Sequence, residues 1–230
     1  MSPPAQCQPA ACLQVYYGGT FDPIHNGHLA IATGARDALQ ARVHLVPAAD
    51  PPHRAIPGAS AQHRAQMVTL AIDGLAGLDM DPLELALAGS GRPSYTVDTL
   101  EHLRGAGGPD VSLAWLIGAD SLASLEQWHQ WQRLFALAHV LVVSRPGSPL
   151  PQALSPALCR QVRGGGWDTD PQALLQHPAG CLHRLDLPLH AGSATAVRAA
   201  MAAGRAVDAQ VPAAVARYIA THNLYRLHAG

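Results

Sequence analysis

The chain has 230 residues, 48% of them hydrophobic, with a mean hydropathy of +0.06, which suits one sizeable α/β domain with a real core. Its formal net charge is −1 and its pI about 6.9, so it carries no basic field for a nucleic-acid backbone and no acidic tail. No stretch reaches the ~18 apolar residues of a membrane span, and the segment before Gln14 has neither the positive start nor the apolar centre of a signal peptide.

Apolar runs alternate with amphipathic segments, the pattern of a parallel sheet wrapped by helices. Residues 1–12 read as a disordered lead and 13–230 as one domain, with a small helical part at about 193–226. A first strand is expected near Leu13–Tyr17, followed by paired glycines and a helix over about Asn26–Leu39, with Leu29, Ala32, Ala35 and Leu39 on one face. A second strand is expected near Val43–Val46, then a stiff loop holding Pro47, Pro51, Pro52 and Pro57. A helix over about Ala61–Ile72 and a short strand around Leu83–Leu87 come next. A further helix begins after Ser94-Tyr95-Thr96 and runs to about Arg104. Strands are expected at Val111–Ile117, ending at Gly118, and at Val140–Val143, ending at Ser144-Arg145-Pro146-Gly147. Residues 146–180 show little periodicity and read as an irregular excursion, and Leu182–Leu187 returns as a last strand. Helices at about Ala194–Ala203 and Pro212–Thr221 close the chain, the proline suiting a first helical position.

The stretch Gly18-Gly19-Thr20-Phe21-Asp22-Pro23-Ile24-His25-Asn26-Gly27-His28 carries the chemistry. Strand, glycine turn and helix start together make a phosphate site, with backbone N–H groups and a helix N-terminus facing an anion. Spacing of three puts both histidines on nearly one face of the opening turn, where both reach one phosphate. All 15 basic residues are arginines, so any permanent cation at a phosphate is an arginine, which binds two oxygens at once. Asp22 reads as structural, turning the loop. Glu84 and Glu126 read as surface charges, and Trp115 and Trp131 as packing residues. Cys7, Cys12, Cys159 and Cys181 show no zinc spacing and read as scattered reduced thiols.

The motif Gly-Gly-Thr-Phe-Asp-Pro-x-His-x-Gly-His resembles the signature of the HxGH nucleotidyltransferase superfamily. Further motifs over about residues 13–226 resemble, within it, the bacterial nicotinate-nucleotide adenylyltransferase family. They are Pro51-Pro52-His53-Arg54, Arg64-x-x-Met67, Pro93-Ser94-Tyr95-Thr96-x-Asp98-Thr99-Leu100, Gly118-x-Asp120-Ser121-Leu122 with Trp128 and Trp131, Arg145-Pro146-Gly147, and Ser193-Ala194-Thr195-Ala196-Val197-Arg198. Arg54 stands where that family usually carries lysine, a change that keeps the charge.

The resemblance implies a Rossmann-like doubly wound parallel sheet with a small C-terminal helical part, and adenylyl transfer from ATP to nicotinate mononucleotide in NAD biosynthesis, in the cytoplasm. It implies His25, His28 and Arg198 as catalytic residues. Gly18, Gly19, Thr20, Phe21, His25, His28, Asp120, Ser193, Thr195 and Arg198 would bind ATP. Thr96, Trp128, Arg145 and Arg54 would bind the acceptor. Mg2+ would arrive with ATP rather than in a site of the protein, and neither nucleic acid nor a membrane is an expected partner. Nicotinamide mononucleotide and phosphopantetheine remain alternative acceptors. A catalytically inactive nucleotide-binding regulator is the alternative of another class.

Overall fold

The computed structural model describes residues 13–49, 58–88, 95–144, 149–188 and 190–225. The strands are β1 (Gln14–Gly19), β2 (Arg42–Pro47), β3 (Leu78–Met80), β4 (Leu113–Gly118), β5 (His139–Val143), β6 (Trp167–Asp168) and β7 (Leu182–Leu185). They form one sheet in the order β3-β2-β1-β4-β5-β7-β6, and every pairing is parallel. The helices are α1 (Asn26–Leu39), α2 (Ala61–Ile72), α3 (Leu83–Ala88), α4 (Thr96–Gly107), α5 (Ala119–Ala123), α6 (Trp131–Leu137), α7 (Pro156–Gln161), α8 (Ala173–Gln176), α9 (Ala194–Ala202) and α10 (Ala213–Thr221).

Every residue of β4 and β5 is buried, as strands covered on both faces require. Alternate side chains enter opposite cores. Val15, Tyr17, Leu45, Ala114, Leu116 and Leu141 meet Ala32, Ala35, Met67, Val68, Val197, Val215 and Ile219 from α1, α2, α9 and α10. Val46, Trp115, Ile117, Val140 and Val142 meet Leu100, Leu103, Leu134, Phe135 and Leu158 from α4, α6 and α7. The C-terminal helices therefore complete the first core. From β1 the chain runs outward to β3 and then returns to β4 on the other side. The strand order reverses between β1 and β4, where open α/β sheets bind ligands at the carboxyl edge. Gly18, Gly19 and Gly118 lie at that edge.

Expectation and structure part company near β3. The segment expected as a strand at Leu83–Leu87 is helix α3, and the strand on this edge is Leu78–Met80. The Asp81 carboxylate accepts the Leu83 N–H at 2.9 Å and the Ala86 N–H bonds the Pro82 carbonyl, so the turn is started locally. Winding turns Glu84 inward. It is buried, and Thr99 Oγ1 of α4 donates to its Oε1 at 3.1 Å, so it is not a surface charge. The stretch read as irregular holds α7, β6 and α8, and β6 extends the sheet beyond β7 through Trp167 opposite Leu182.

His139 on β5 is fully buried. Its Nε2–H donates to the His177 carbonyl at 2.8 Å, and its Nδ1 accepts the Cys181 N–H at 3.1 Å. Burial holds its pKa below the ordinary value, and burial does the same at His44 and His183. The folded protein keeps these rings neutral, while the unfolded chain takes up protons near pH ~6.5. Their contribution is therefore complete above that pH and is lost as pH falls from it toward the depressed folded values. Tm is expected to fall between pH 7.5 and 5.5, with a shallower slope in His139→Gln. An unchanged slope in that variant removes His139 from the account.

Candidate active site

β1 delivers Gly18 and Gly19 to the carboxyl edge, and the chain turns through Phe21 (φ 48°) into α1. His25 is the N-cap of α1 in extended geometry, and its Nδ1 accepts the backbone N–H of His28 at 3.3 Å. His28 returns the bond, its Nδ1 accepting the His25 N–H at 3.3 Å. This is a capping box built from two histidines, where Ser or Thr with Glu or Gln is usual. Because each Nδ1 accepts, each neutral ring carries its proton on Nε2. The rings stack with centroids 3.7 Å apart and planes 20° apart, and the residues are 4% and 9% exposed. Two stacked imidazoles, each with its Nδ1 engaged, thus stand at the positive end of a 14-residue helix whose first turn has no acidic residue.

The strap before α9 lies directly on this helix start. A Cβ on Gly192 would come within 2.8 Å of the Gly27 Cα and 2.6 Å of His25 Nδ1, so neither approach tolerates a side chain. Ser193 caps α9, its Oγ accepting the Ala196 N–H at 3.3 Å. The Arg198 guanidinium donates to the Asp22 carbonyl at 2.7 Å and, at 3.4 Å, to Thr195 Oγ1. The structure therefore brings together His25, His28, Ser193, Thr195 and Arg198, although 165 or more residues of chain separate the two groups. Thr20 and Phe21 line the turn between them. Asp120 is exposed on α5, just past the carboxyl end of β4, the strand next to β1.

Of the residues expected on the acceptor side, Thr96 and Trp128 lie in elements beside the second core. Thr96 is the first residue of α4, and the Tyr95 ring before it meets His129 at 4.4 Å between centroids. That contact joins the start of α4 to the turn holding half-buried Trp128, which packs on the second core. Trp115 and Trp131 are core residues. Arg54 and Arg145 lie outside the described residues. Burial and nearby Asp168 push the Cys181 thiol up to about 11, so it is not a nucleophile at neutral pH.

Sequence reasoning assigned no role to Arg64, which is 1% exposed. Its guanidinium donates to the carbonyls of Thr20 (2.7 Å), Ala48 (2.5 Å), Ala49 (2.6 Å) and Ala59 (3.2 Å). It ties the turn after β1 to the backbone on both sides of residues 50–57. The available signal was a charge three residues before Met67, on the inward face of α2.

Among the described residues no group of three or more His, Cys, Asp or Glu side chains could hold a metal ion, and no helix is long and apolar enough to cross a membrane. The cytidylyltransferase-like family model matches residues 16–207. A probable nicotinate-nucleotide adenylyltransferase of Stenotrophomonas maltophilia is 56% identical over 216 residues, 93% of this chain and 97% of that protein. One from Xylella fastidiosa is 46% identical over 217 residues, 94% of this chain and 97% of that protein. The fold is shared with Plasmodium falciparum nicotinic acid mononucleotide adenylyltransferase complexed with NaAD, at a TM-score of 0.70 and 15% identity, covering 93% of this chain and 97% of that one.

Proposed function

The chain belongs to the cytidylyltransferase-like family, and on that premise we propose that it transfers the adenylyl group of ATP to nicotinate mononucleotide, giving deamido-NAD and pyrophosphate. The observation that carries this reading is the reciprocal histidine cap at the sheet's switch point, in a chain that matches nicotinate-nucleotide adenylyltransferases over almost its whole length.

A phosphate oxygen of the acceptor attacks the α-phosphorus of ATP. The new P–O bond forms as the bond to the bridging oxygen breaks, and pyrophosphate leaves with that electron pair. The attacking oxygen is already ionised, so no strong base is required. The barrier lies in bringing two anions together and in the charge that builds on the transferring group and the leaving pyrophosphate. Nε2–H donors of His25 and His28 and the Arg198 guanidinium meet that charge as it grows. Gly18, Gly19, Thr20 and Phe21 supply backbone around the nucleotide, Ser193 and Thr195 hydroxyls add to the phosphate clamp, and the Asp120 carboxylate accepts from the ribose hydroxyls. Thr96 and Trp128 receive the nicotinate ring, and Arg145 and Arg54 pair with acceptor phosphate. Mg2+ enters as part of the MgATP substrate, held by the triphosphate oxygens.

Pyrophosphate release measured with nicotinate mononucleotide, nicotinamide mononucleotide and phosphopantetheine tests this reading. The acid mononucleotide is expected to give the highest kcat/KM, and equal or better turnover of phosphopantetheine would sink the assignment. Trp128→Ala is expected to raise KM for the acceptor about tenfold, the scale of a lost aromatic stack with its buried area, and to leave KM for ATP near its starting value. The reverse pattern would move the acceptor away from Trp128.

A further inference from the structure

We propose that Tyr225 is a positioning residue for the phosphate-binding arginine, acting through the Asp22 carboxylate; this rests on the reading of Arg198 as a triphosphate contact. Asp22 is 6% exposed, and three neutral donors bond its carboxylate, two of them on Oδ1. Oδ2 accepts the Gly58 N–H at 2.8 Å, and Oδ1 accepts the Ala59 N–H at 3.1 Å and the Tyr225 hydroxyl at 2.7 Å. Arg198 Nη1 lies 3.6 Å from Oδ2, yet its hydrogen bond goes to the Asp22 main-chain carbonyl at 2.7 Å.

The arrangement has a definite electrostatic sense. A buried carboxylate lacking donors would draw the nearest guanidinium into a bidentate, charge-assisted pair. Here the short Tyr225 bond and the two backbone N–H groups supply that demand. Arg198 is left on a carbonyl, with its charge directed past Asp22 toward the anion that the His25–His28 pair also faces. Tyr225 is held in place for this. A Cβ at Gly58 would lie 3.0 Å from its Cδ1 and Cε1 and 3.6 Å from the Arg198 Cδ, so the phenol ring takes the space that a side chain at residue 58 would fill. Burial and contact with Asp22 push the phenol well above its ordinary pKa, and it remains a donor throughout the neutral and mildly alkaline range.

Removing the hydroxyl frees one acceptor site on Oδ1, and Arg198 closes on the carboxylate and away from ATP. Tyr225→Phe is expected to raise KM for ATP about fivefold to tenfold, the scale of one weakened charge-assisted hydrogen bond, while KM for the acceptor stays within about twofold. Gly58→Ala, which displaces the ring without touching the hydroxyl, is expected to shift KM for ATP in the same direction. In an Arg198→Ala background, Tyr225→Phe is expected to add nothing, because the two act as one unit. A loss that reflected stability alone would persist in that background.

An unchanged KM for ATP in Tyr225→Phe, or an equal further rise without Arg198, overturns the proposal. Calorimetric titration of ATP gives the same comparison without turnover. Failure of the acceptor assignment, read from wild-type pyrophosphate release, is thus told apart from failure of the Tyr225 role.

Discussion

His28→Ala is expected to lower kcat by about 10²- to 10³-fold, the cost of one preorganised donor to transition-state charge, with a smaller change in ATP affinity. The structure adds a complication, because His28 is also the N3 member of the α1 capping box. Alanine leaves the His25 N–H without its side-chain acceptor, although the backbone N–H of residue 28 still donates to His25 Nδ1, so a loss of about 1 kcal/mol in stability is expected, or roughly 2–4 °C in Tm for a domain of this size. The two effects separate in His28→Gln. Glutamine suits the N3 position and accepts from the cap backbone, but it places no N–H donor where the imidazole Nε2 stands. Tm is expected to recover in that variant while kcat does not. If His28→Gln restored turnover along with stability, the ring would be a cap and nothing more.

Arg64→Met is expected to be the most destabilising single change in the chain, by about 3–5 kcal/mol, as when one member of a buried charged network is removed, and thus a fall in Tm of about 10 °C or more. Methionine fills the volume but leaves the Thr20, Ala48, Ala49 and Ala59 carbonyls without their shared donor. Arg64→Lys keeps the charge, yet one ammonium with three donors does not span carbonyls that a planar fork reaches from several sides. It is expected to recover less than half of the loss. A thermal melt of Arg64→Met within about 2 °C of the parent would show that these bonds are replaced by water at little cost.

The elements legible in the sequence are those whose signals are local. Helices α1 and α2 fall at Asn26–Leu39 and Ala61–Ile72 as their apolar spacing predicts, and Ser60 marks the second start with an Oγ that accepts the His63 N–H. Leu83–Leu87 misled because alternating leucines fit either a short strand or a turn of helix half-buried against a neighbour. The Asp81 carboxylate starts the turn locally, but the inward bond that buries Glu84 comes from Thr99, 15 residues on. The three-residue strand β3 is too short to show any period. At the site, the two histidines were readable from their spacing, and Arg198 only from the family resemblance. Asp22 read as a loop-turning residue and is one, but its partners Gly58, Ala59 and Tyr225 carry no mark of that partnership in their own neighbourhoods. The same holds for Arg64, whose carbonyl partners can be named only once the chain has folded around it.

The bond between Asp22 and Tyr225 closes a loop of 203 residues. A chain leaving the ribosome presents its histidine pair early and its phenol very late, at about 5–20 residues per second. Until α10 has emerged and packed against α2, the nascent protein holds a phosphate cradle whose arginine is drawn onto the Asp22 carboxylate. The full affinity for nucleotide therefore arrives in a late step of synthesis instead of growing with the sheet.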